Sequence, residues 1–414
     1  MSYLAEFDAA APDDRWPLAK GWMEREPSAF FRELRRDRPI LVTPACTLVA
    51  RHADVVECMS NAEVFTVELY RSKMGTYMLA QDDTPDHSRD KAIMQTMLSR
   101  DDLPRIRALI GEVTAEILAG ARGRIEAVSR VTRRVPIELV IRYFGFSTAD
   151  PKKLARWSYW SQYDSFYNHD FDRQRRSATI HRRSRKAAAE MAAYIGEEIA
   201  AKVAGIQKGE VRDDVVTRML LTRYPPAIGF TPERLGLNVG GLLIGAVETT
   251  SQSVTGALAE LLRRPRALAE AKQAALRGDL ETFDRHVFEA LRLRPLSPYL
   301  FRKSARDYTV AKGTARQTTI PAGTTVLALI ASAMRDEDEF PLPEEFNIHR
   351  PLERTFHLGW GLHECLGKHI GMVMIPEIVR HFVLLDELRE RAPIDCKGGP
   401  FPERWELEWS AGEA

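Results

Sequence analysis

Apolar positions recur at three- and four-residue intervals over most of the chain, a period that predicts amphipathic helices over Asp150–Asn168, Arg176–Ala204, Arg266–Arg277, Leu280–Leu293 and Lys368–Leu384. The segment Thr231–Arg264 has a different pattern. Thr231 is placed as an N-cap, Pro232 at the first helical position and Glu233 in the first turn, and Pro265 stops the helix. From Leu235 to Val247 its only polar side chain is Asn238, so this helix is predicted to run through the interior. Glu248, Thr249, Thr250 and Ser251 must then be accommodated there. Strand-like sequence is confined to Ile40–Ala50, Thr318–Ile320 and Thr324–Ile330, the last behind the turn Pro321-Ala322-Gly323. The expected fold is mainly α with a small sheet.

At 414 residues the chain is long enough for two modest domains or one large body. Repeats, low-complexity tracts and Gly/Ser linkers are absent, which favours one continuous domain over 1–414. Lys plus Arg number 59 and Asp plus Glu 58, and this balance argues against a dedicated nucleic-acid binder. Four cysteines, Cys46, Cys58, Cys365 and Cys396, form no CxxC pair, so neither a disulfide framework nor a zinc ribbon is expected. The N-terminus carries Glu6, Asp8, Asp13 and Asp14 without an apolar core, and no apolar run reaches the roughly 20 residues of a membrane span. A cytoplasmic protein that does not enter the membrane is expected.

Three constellations carry chemistry. In Leu358-Gly359-Trp360-Gly361-Leu362-His363-Glu364-Cys365-Leu366-Gly367 the glycines allow a tight backbone path beside a flat ligand. A cysteine just before a helix N-terminus is placed to be a stabilised thiolate and a metal ligand. The alternatives are a buried structural cysteine, or a zinc site from His357, His363, Cys365 and His369, whose spacing matches no usual zinc pattern. In Gly245-Ala246-Val247-Glu248-Thr249 the threonine hydroxyl is spaced to take the Gly245 carbonyl out of the helix ladder and open a groove, with an acid beside it to deliver protons to a small molecule such as dioxygen. The plainer alternative is a back-bonded hydroxyl next to a surface carboxylate. Glu289 and Arg292 share a helical face, either as a surface ion pair or as a buried one that needs further partners, for which Glu345 and Arg350 stand near in pattern.

In this order the three constellations resemble the cytochrome P450 family of thiolate-haem monooxygenases, over nearly the whole chain. The resemblance implies the P450 fold, with haem b buried between the central long helix and the cysteine loop. It makes Cys365 the axial thiolate ligand of the iron. Gly361 and Gly367 align with the glycines of the family's cysteine loop, and Gly245, Ala246, Glu248 and Thr249 with its oxygen-activation helix. Glu289 and Arg292 fit the family's Glu-x-x-Arg pair. The segment from Asp83 to Lys91 is similar to the family's Asp-Pro-Pro-Glu-His-x-Arg-x-Arg, which assigns His87 and Lys91 to a haem propionate, and Arg302 and His363 take matching propionate positions. Leu358 replaces the family's phenylalanine, Lys91 an arginine, and Glu345 a basic residue, whose duty passes to Arg350.

The implied activity is O2 activation followed by hydroxylation, epoxidation, dealkylation or oxidative coupling of a small organic substrate. Thr249 and Glu248 are the catalytic pair. Electrons are expected from a separate ferredoxin and its NAD(P)H-dependent reductase, because no fused reductase fits in 414 residues, and a monomer is expected. Arg89, Lys91, Arg100 and Lys368 are either the ferredoxin's docking site or an ordinary solvated face. By resemblance the substrate wall includes Tyr70–Met78, the helix from Asp150, Leu242, Gly245 and Ser297–Leu300. The aromatics Trp157, Tyr159, Trp160, Tyr163, Phe166 and Tyr167 form a lid or core packing. From Arg173 to Lys186 seven basic residues stand without an acidic one, either as a solvated face or to receive an anionic substrate or an acidic carrier protein. A peroxide-driven peroxygenase and a non-catalytic haem ligand-binding or sensor protein are the alternative functions.

Overall fold

The computed structural model describes residues 2–172 and 174–410. Its helices begin with α1 (Tyr3–Ala9), α2 (Arg15–Arg25), α3 (Pro27–Asp37), α4 (His52–Ser60) and α5 (Glu68–Met74). Next come α6 (Pro85–Met97), α7 (Leu103–Ala119), α8 (Arg134–Leu139), α9 (Pro151–Tyr167), α10 (Ser177–Gln207) and α11 (Val215–Leu221). The chain continues through α12 (Pro232–Leu262), α13 (Pro265–Leu276), α14 (Leu280–Leu293), the short α15 (Ile330–Ala333) and α16 (Lys368–Val383). The chain forms two compact units: Met1–Thr84, His169–Arg173 and Arg292–Cys365, and Pro85–Asn168, Gln174–Leu291 and Leu366–Ala414.

The first unit is built on a five-stranded sheet of β1 (Ile40–Val42), β2 (Thr47–Val49), β3 (Phe65–Thr66), β5 (Leu300–Ser304) and β8 (Thr325–Ala328), in the order β1-β2-β8-β5-β3. The continuous strand expected over Ile40–Ala50 is instead an antiparallel hairpin, with Ile40 opposite Val49. Pro44 has no N–H for a ladder, and the Thr43 hydroxyl takes the N–H groups of Ala45 and Cys46 at 3.2 and 3.0 Å, so the chain turns there. β2 runs parallel to β8, and β8 pairs antiparallel with β5, which sets Arg302 opposite Val326. Beneath the sheet Val49, Cys58, Phe65, Val326, Phe340 and Phe356 form one apolar cluster, joined by β6 (Tyr308–Val310) and β7 (Thr318–Ile320).

The second unit is arranged around α12. Thr231 caps it by accepting from the Arg234 N–H at 3.3 Å, and the helix runs unbroken to Leu262. Leu235, Val239, Leu243, Val247, Val254 and Leu258 are buried, as the apolar run requires. α9, α10, α13 and α16 pack against it, and α7 packs on α16. Three short strands, β4 (Arg124–Glu126), β9 (Arg389–Glu390) and β10 (Glu406–Glu408), form a separate sheet in the order β4-β10-β9.

The one polar residue in the apolar run has a partner. Asn238 is fully buried, and its side-chain amide donates to Asp90 at 2.9 Å and to the Arg234 carbonyl at 2.8 Å. Asp90, equally buried on α6, also accepts from Arg89 and Arg234. This cluster fixes α6 against α12. No helix among the described residues is long and apolar enough to cross a membrane.

Removing the α12 cap by Thr231→Ala is expected to cost about 1 kcal/mol. Asp90→Ala leaves two guanidinium groups and an amide without this carboxylate and is expected to cost about 3–5 kcal/mol. Urea unfolding midpoints of the two variants check the order.

Candidate functional site

The cysteine loop belongs to the first unit. Gly359 and Gly361 hold φ of +79° and +66°, a region that side chains with a Cβ rarely adopt. A Cβ at Gly361 would stand 2.8 Å from the Met59 carbonyl oxygen, so that glycine also makes room for α4. The loop closes through the Cys365 N–H donating to the Leu358 carbonyl at 2.8 Å. Phe356 is buried against His52 of α4, and Trp360 donates from its indole N–H to Ser60 at 3.1 Å. The aromatics at 356 and 360 therefore seat the loop, and Leu358 is half-buried.

This seating leaves Cys365 exposed, which overturns the reading of a buried structural cysteine. Cys46 and Cys58 are the buried ones. Burial pushes the Cys46 thiol up to about 12 and raises that of Cys58, so neither supplies a thiolate near neutrality. Among the described residues no group of three His, Cys, Asp or Glu side chains is arranged to hold a metal, against the zinc alternative. His363 is half-buried, in the single turn Gly361–His363 that precedes the cysteine.

Arg302 is the most telling cation of this unit. It is 4% exposed on β5, and burial lowers its guanidinium pKa. Its Nη1 donates to the Phe301 carbonyl at 2.8 Å, and no carboxylate of the described residues comes within ion-pair distance. Asp82 acts on it only from farther off and is itself paired with Arg71 at 3.0 Å. A buried guanidinium in this state calls for an external anion.

Glu289 and Arg292 are 4% and 0% exposed, so of the two alternatives the buried arrangement is the one found. Arg292 donates to the carbonyls of Met334, Pro343 and Glu345 at 2.7, 2.8 and 3.2 Å. Glu345 thus contributes its backbone. Arg350 donates to the neighbouring Leu342 carbonyl at 2.8 Å.

The second unit holds the α12 residues. The Thr249 hydroxyl donates to the Gly245 carbonyl at 2.5 Å, as the spacing predicts, but the helix does not break there. A Cβ at Gly245 would meet nothing within 4 Å, so that carbonyl lies beside open space, with Ala246 adding little bulk. α9 pins α12 on both sides of this turn. Gln162 donates to the Ile244 carbonyl at 2.5 Å, and the Tyr167 hydroxyl donates to Gln252 at 3.2 Å. Of the aromatic run, Trp157 is buried, and Tyr159, Tyr163 and Tyr167 all pack edge-on against Phe401.

Glu248 is 1% exposed, not a surface carboxylate. Arg133 holds it, with Nε 3.0 Å from both carboxylate oxygens. The same guanidinium reaches Glu403 at 3.1 Å and the Pro402 carbonyl at 3.0 Å. Burial pushes the Glu248 carboxyl up to about 7, partly opposed by Arg133 and reinforced by Glu403. On α6, His87 is buried and Lys91 half-buried. Arg133, Asp90 and Gln162 escape sequence reasoning: Asp90 and Gln162 lie within segments already singled out, but nothing near any of the three in the chain marks its distant partner.

A family model for cytochrome P450 matches residues 158–399, more than half of the chain. The chain belongs to the cytochrome P450 family. It is similar to cytochrome P450 NovI of Streptomyces niveus, 26% identical over 385 residues that cover 88% of this chain and 86% of NovI. It is also similar to the mycinamicin IV hydroxylase/epoxidase of Micromonospora griseorubida, 26% identical over 334 residues covering 80% and 75%. In fold it matches cytochrome P450 CYP109Q5 from Chondromyces apiculatus with a TM-score of 0.77 at 23% identity, covering 95% and 97% of the two chains. The protein is a haem-thiolate oxidoreductase of the monooxygenase type, and its cofactor is haem b with an axial cysteine. The residues present fit that cofactor: an exposed thiol behind a glycine-cornered loop, and a buried cation that lacks an anion.

Because the folded state holds the Glu248 proton more tightly than the unfolded chain, stability falls as pH rises from the ordinary carboxylate range to about 7, then levels off. Glu248→Gln is expected to remove that slope, as urea midpoints at pH 5, 6, 7 and 8 would show. Gly361→Ala, which adds a backbone clash to left-handed strain, is expected to lower the thermal midpoint and haem retention more than Gly398→Ala, where φ is +70° but nothing lies within 4 Å.

Proposed function

We propose that the protein is an O2-dependent monooxygenase in which Cys365 ligates the haem iron, Thr249 and Glu248 manage the protons, and a small organic substrate is hydroxylated, epoxidised, dealkylated or coupled. The observation that carries this is the Thr249 hydroxyl held on the Gly245 carbonyl beside open space, one residue from a buried carboxyl that titrates near neutrality. When bound, thiolate-ligated haem supplies the reductive activation of dioxygen and transfer of one oxygen atom to the substrate. The chain's own contribution is placement. Thr249 Oγ1 is oriented by Gly245 and offers a donor at the open side of α12. Glu248 keeps a proton available at its carboxyl, and Arg133 restricts where that carboxyl can point.

Arg302, His363, His87 and Lys91 are assigned to the haem propionates, for which the buried, carboxylate-free setting of Arg302 is the strongest support. Gly361 and Gly245 with Ala246 give the flat cofactor and its ligand room. We infer one haem domain over 1–414, working in the cytoplasm as a monomer, with electrons supplied by a separate ferredoxin and NAD(P)H-dependent reductase. Of the four cations considered for ferredoxin docking, Arg89 is committed to Asp86 and Asp90, whereas Arg100 is exposed.

The dithionite-reduced protein is expected to give the strongly red-shifted carbonyl Soret band of a thiolate-ligated haem, and Cys365→Ala to lose it. A histidine-type band in folded protein would refute the ligand assignment. Thr249→Ala is expected to keep that band and consume O2 and NAD(P)H while product falls about a hundredfold and hydrogen peroxide accumulates. Full turnover of the parent on hydrogen peroxide, with none through a ferredoxin chain, would favour the peroxygenase alternative; ligand binding without turnover by either route would favour a sensor.

A further inference from the structure

The start of α10 presents cations that the fold does not use. Arg175, Arg176, Arg182, Arg183, Arg185 and Lys186 are all exposed, and none has a carboxylate within ion-pair distance among the described residues. Arg173, the first of the seven basic residues in this stretch, lies outside the described residues. Ile180, Ser184, Ala187 and Met191 are buried at helical spacing, which turns the cations to the opposite side. The nearby carboxylates are already committed: Asp164 to His181 at 2.9 Å, and Glu190 to Arg156 and the Trp157 indole. Elsewhere the protein pairs its arginines freely, so six unpaired cations in one stretch are not the pattern of a neutralised surface.

The face also has an aromatic anchor. The Arg183 guanidinium lies 4.7 Å over the Trp160 ring, and Trp160 stacks on Tyr163 with centroids 6.1 Å apart and planes 4° from parallel. Trp, Tyr and Arg together are the composition of protein–protein hot spots. Between Arg176 and Lys186 the charges spread over about 15 Å of helix, too far for a single carboxylate or phosphate to engage them all. Exposed residues between the cations are small or polar, with no large apolar side chain to enter a lipid surface. The chain's net charge of +1 makes this a local patch and not a general affinity for polyanions.

The inner face of α9 supplies the role. Through Gln162 and Tyr167 it pins the Ile244–Gln252 stretch of α12, so the outer face is one helix diameter, about 10 Å, from the open space at Gly245. α16, which follows Cys365, packs instead on α7, α12 and α13. The face therefore backs the open side of α12 through α9, not through α16. We propose that the α9–α10 face binds a small acidic carrier protein that presents the substrate covalently attached; the role, though not the surface, rests on the monooxygenase function proposed above.

The test uses the haem-loaded enzyme and fluorescently labelled octanoyl acyl carrier protein as the probe, with binding read by anisotropy over a salt series. Arg175→Ala/Arg176→Ala/Arg182→Ala/Arg183→Ala is expected to weaken binding at least tenfold and flatten its salt dependence. Lys152→Ala/Lys153→Ala, on exposed cations at the far end of α9, is expected to change it less than twofold. Reduction by ferredoxin should be unaltered in both. No binding to the parent, equal binding to parent and quadruple variant, a loss of ferredoxin reduction instead, or binding of DNA or anionic vesicles in place of the carrier would each overturn the proposal. The ferrous carbonyl spectrum of the same samples separates these outcomes from failure of the haem-thiolate assignment.

Discussion

Placing a carboxylate in the middle of α12 is the constraint around which the second unit is organised. An isolated carboxylate buried this deeply would cost several kcal/mol, and removal of its partner would leave that cost uncompensated. The partner, Arg133, stands where a π-helical turn over Val128–Thr132 passes into α8. The turn before it is also tied to α12, through Thr132 and Ser251 hydroxyls 2.7 Å apart. β4 pairs with β10, and the Ala127 N–H donates to the Trp405 carbonyl at 2.8 Å, which brings Glu403 and Pro402 to the other side of the guanidinium. Arg133 also lies 5.5 Å over the Tyr159 ring, itself packed on Phe401. A short sheet, α9 and the C-terminal segment thus converge on one guanidinium.

Features set by neighbours in the chain were legible in the sequence. The cap at Thr231, the bounds of α14, the strand Thr318–Ile320 and the bond from Thr249 to Gly245 all depend on spacings of four residues or fewer, or on turn chemistry beside them. The glycine pattern around Cys365 was legible for the same reason, since left-handed turns at 359 and 361 exclude most other residues. What stayed hidden was long-range. Arg133 is 115 residues from Glu248, and Asp90 is 148 from Asn238. An arginine in a basic run and an aspartate beside an arginine look like surface charges until the fold buries them.

The same limit explains why the sequence left Glu289 and Arg292 open between a surface pair and a buried one. Their i,i+3 spacing is shared by surface pairs and buried ones, and what marks this pair as buried includes the carbonyls of Met334, Pro343 and Glu345, which come from a distant loop. Asn238 shows the reverse case. A single amide in an apolar run signals a buried partner, because an amide unsatisfied there would cost about 1–3 kcal/mol. The signal reveals that a partner exists without naming it.

Arg133 shares its one positive charge between two carboxylates, and that arithmetic governs the chemistry of α12. With Glu248 and Glu403 both ionised, the trio carries a net negative charge in a largely enclosed place. Protonating Glu248 makes the trio neutral, and the choice falls on Glu248 because it is 1% exposed, whereas the Glu403 side chain keeps 19% of its surface in solvent. Had each carboxylate its own arginine, Glu248 would be held ionised far below neutrality, as Glu377 is by its contacts with His381 and Arg380, at about 2. A carboxylate so stabilised would hold no proton to release at neutral pH. Under-supplying Arg133 to the pair keeps a proton at the centre of the helix near neutrality, one residue from the Thr249 hydroxyl, where the proposed role in O2 reduction would draw on it.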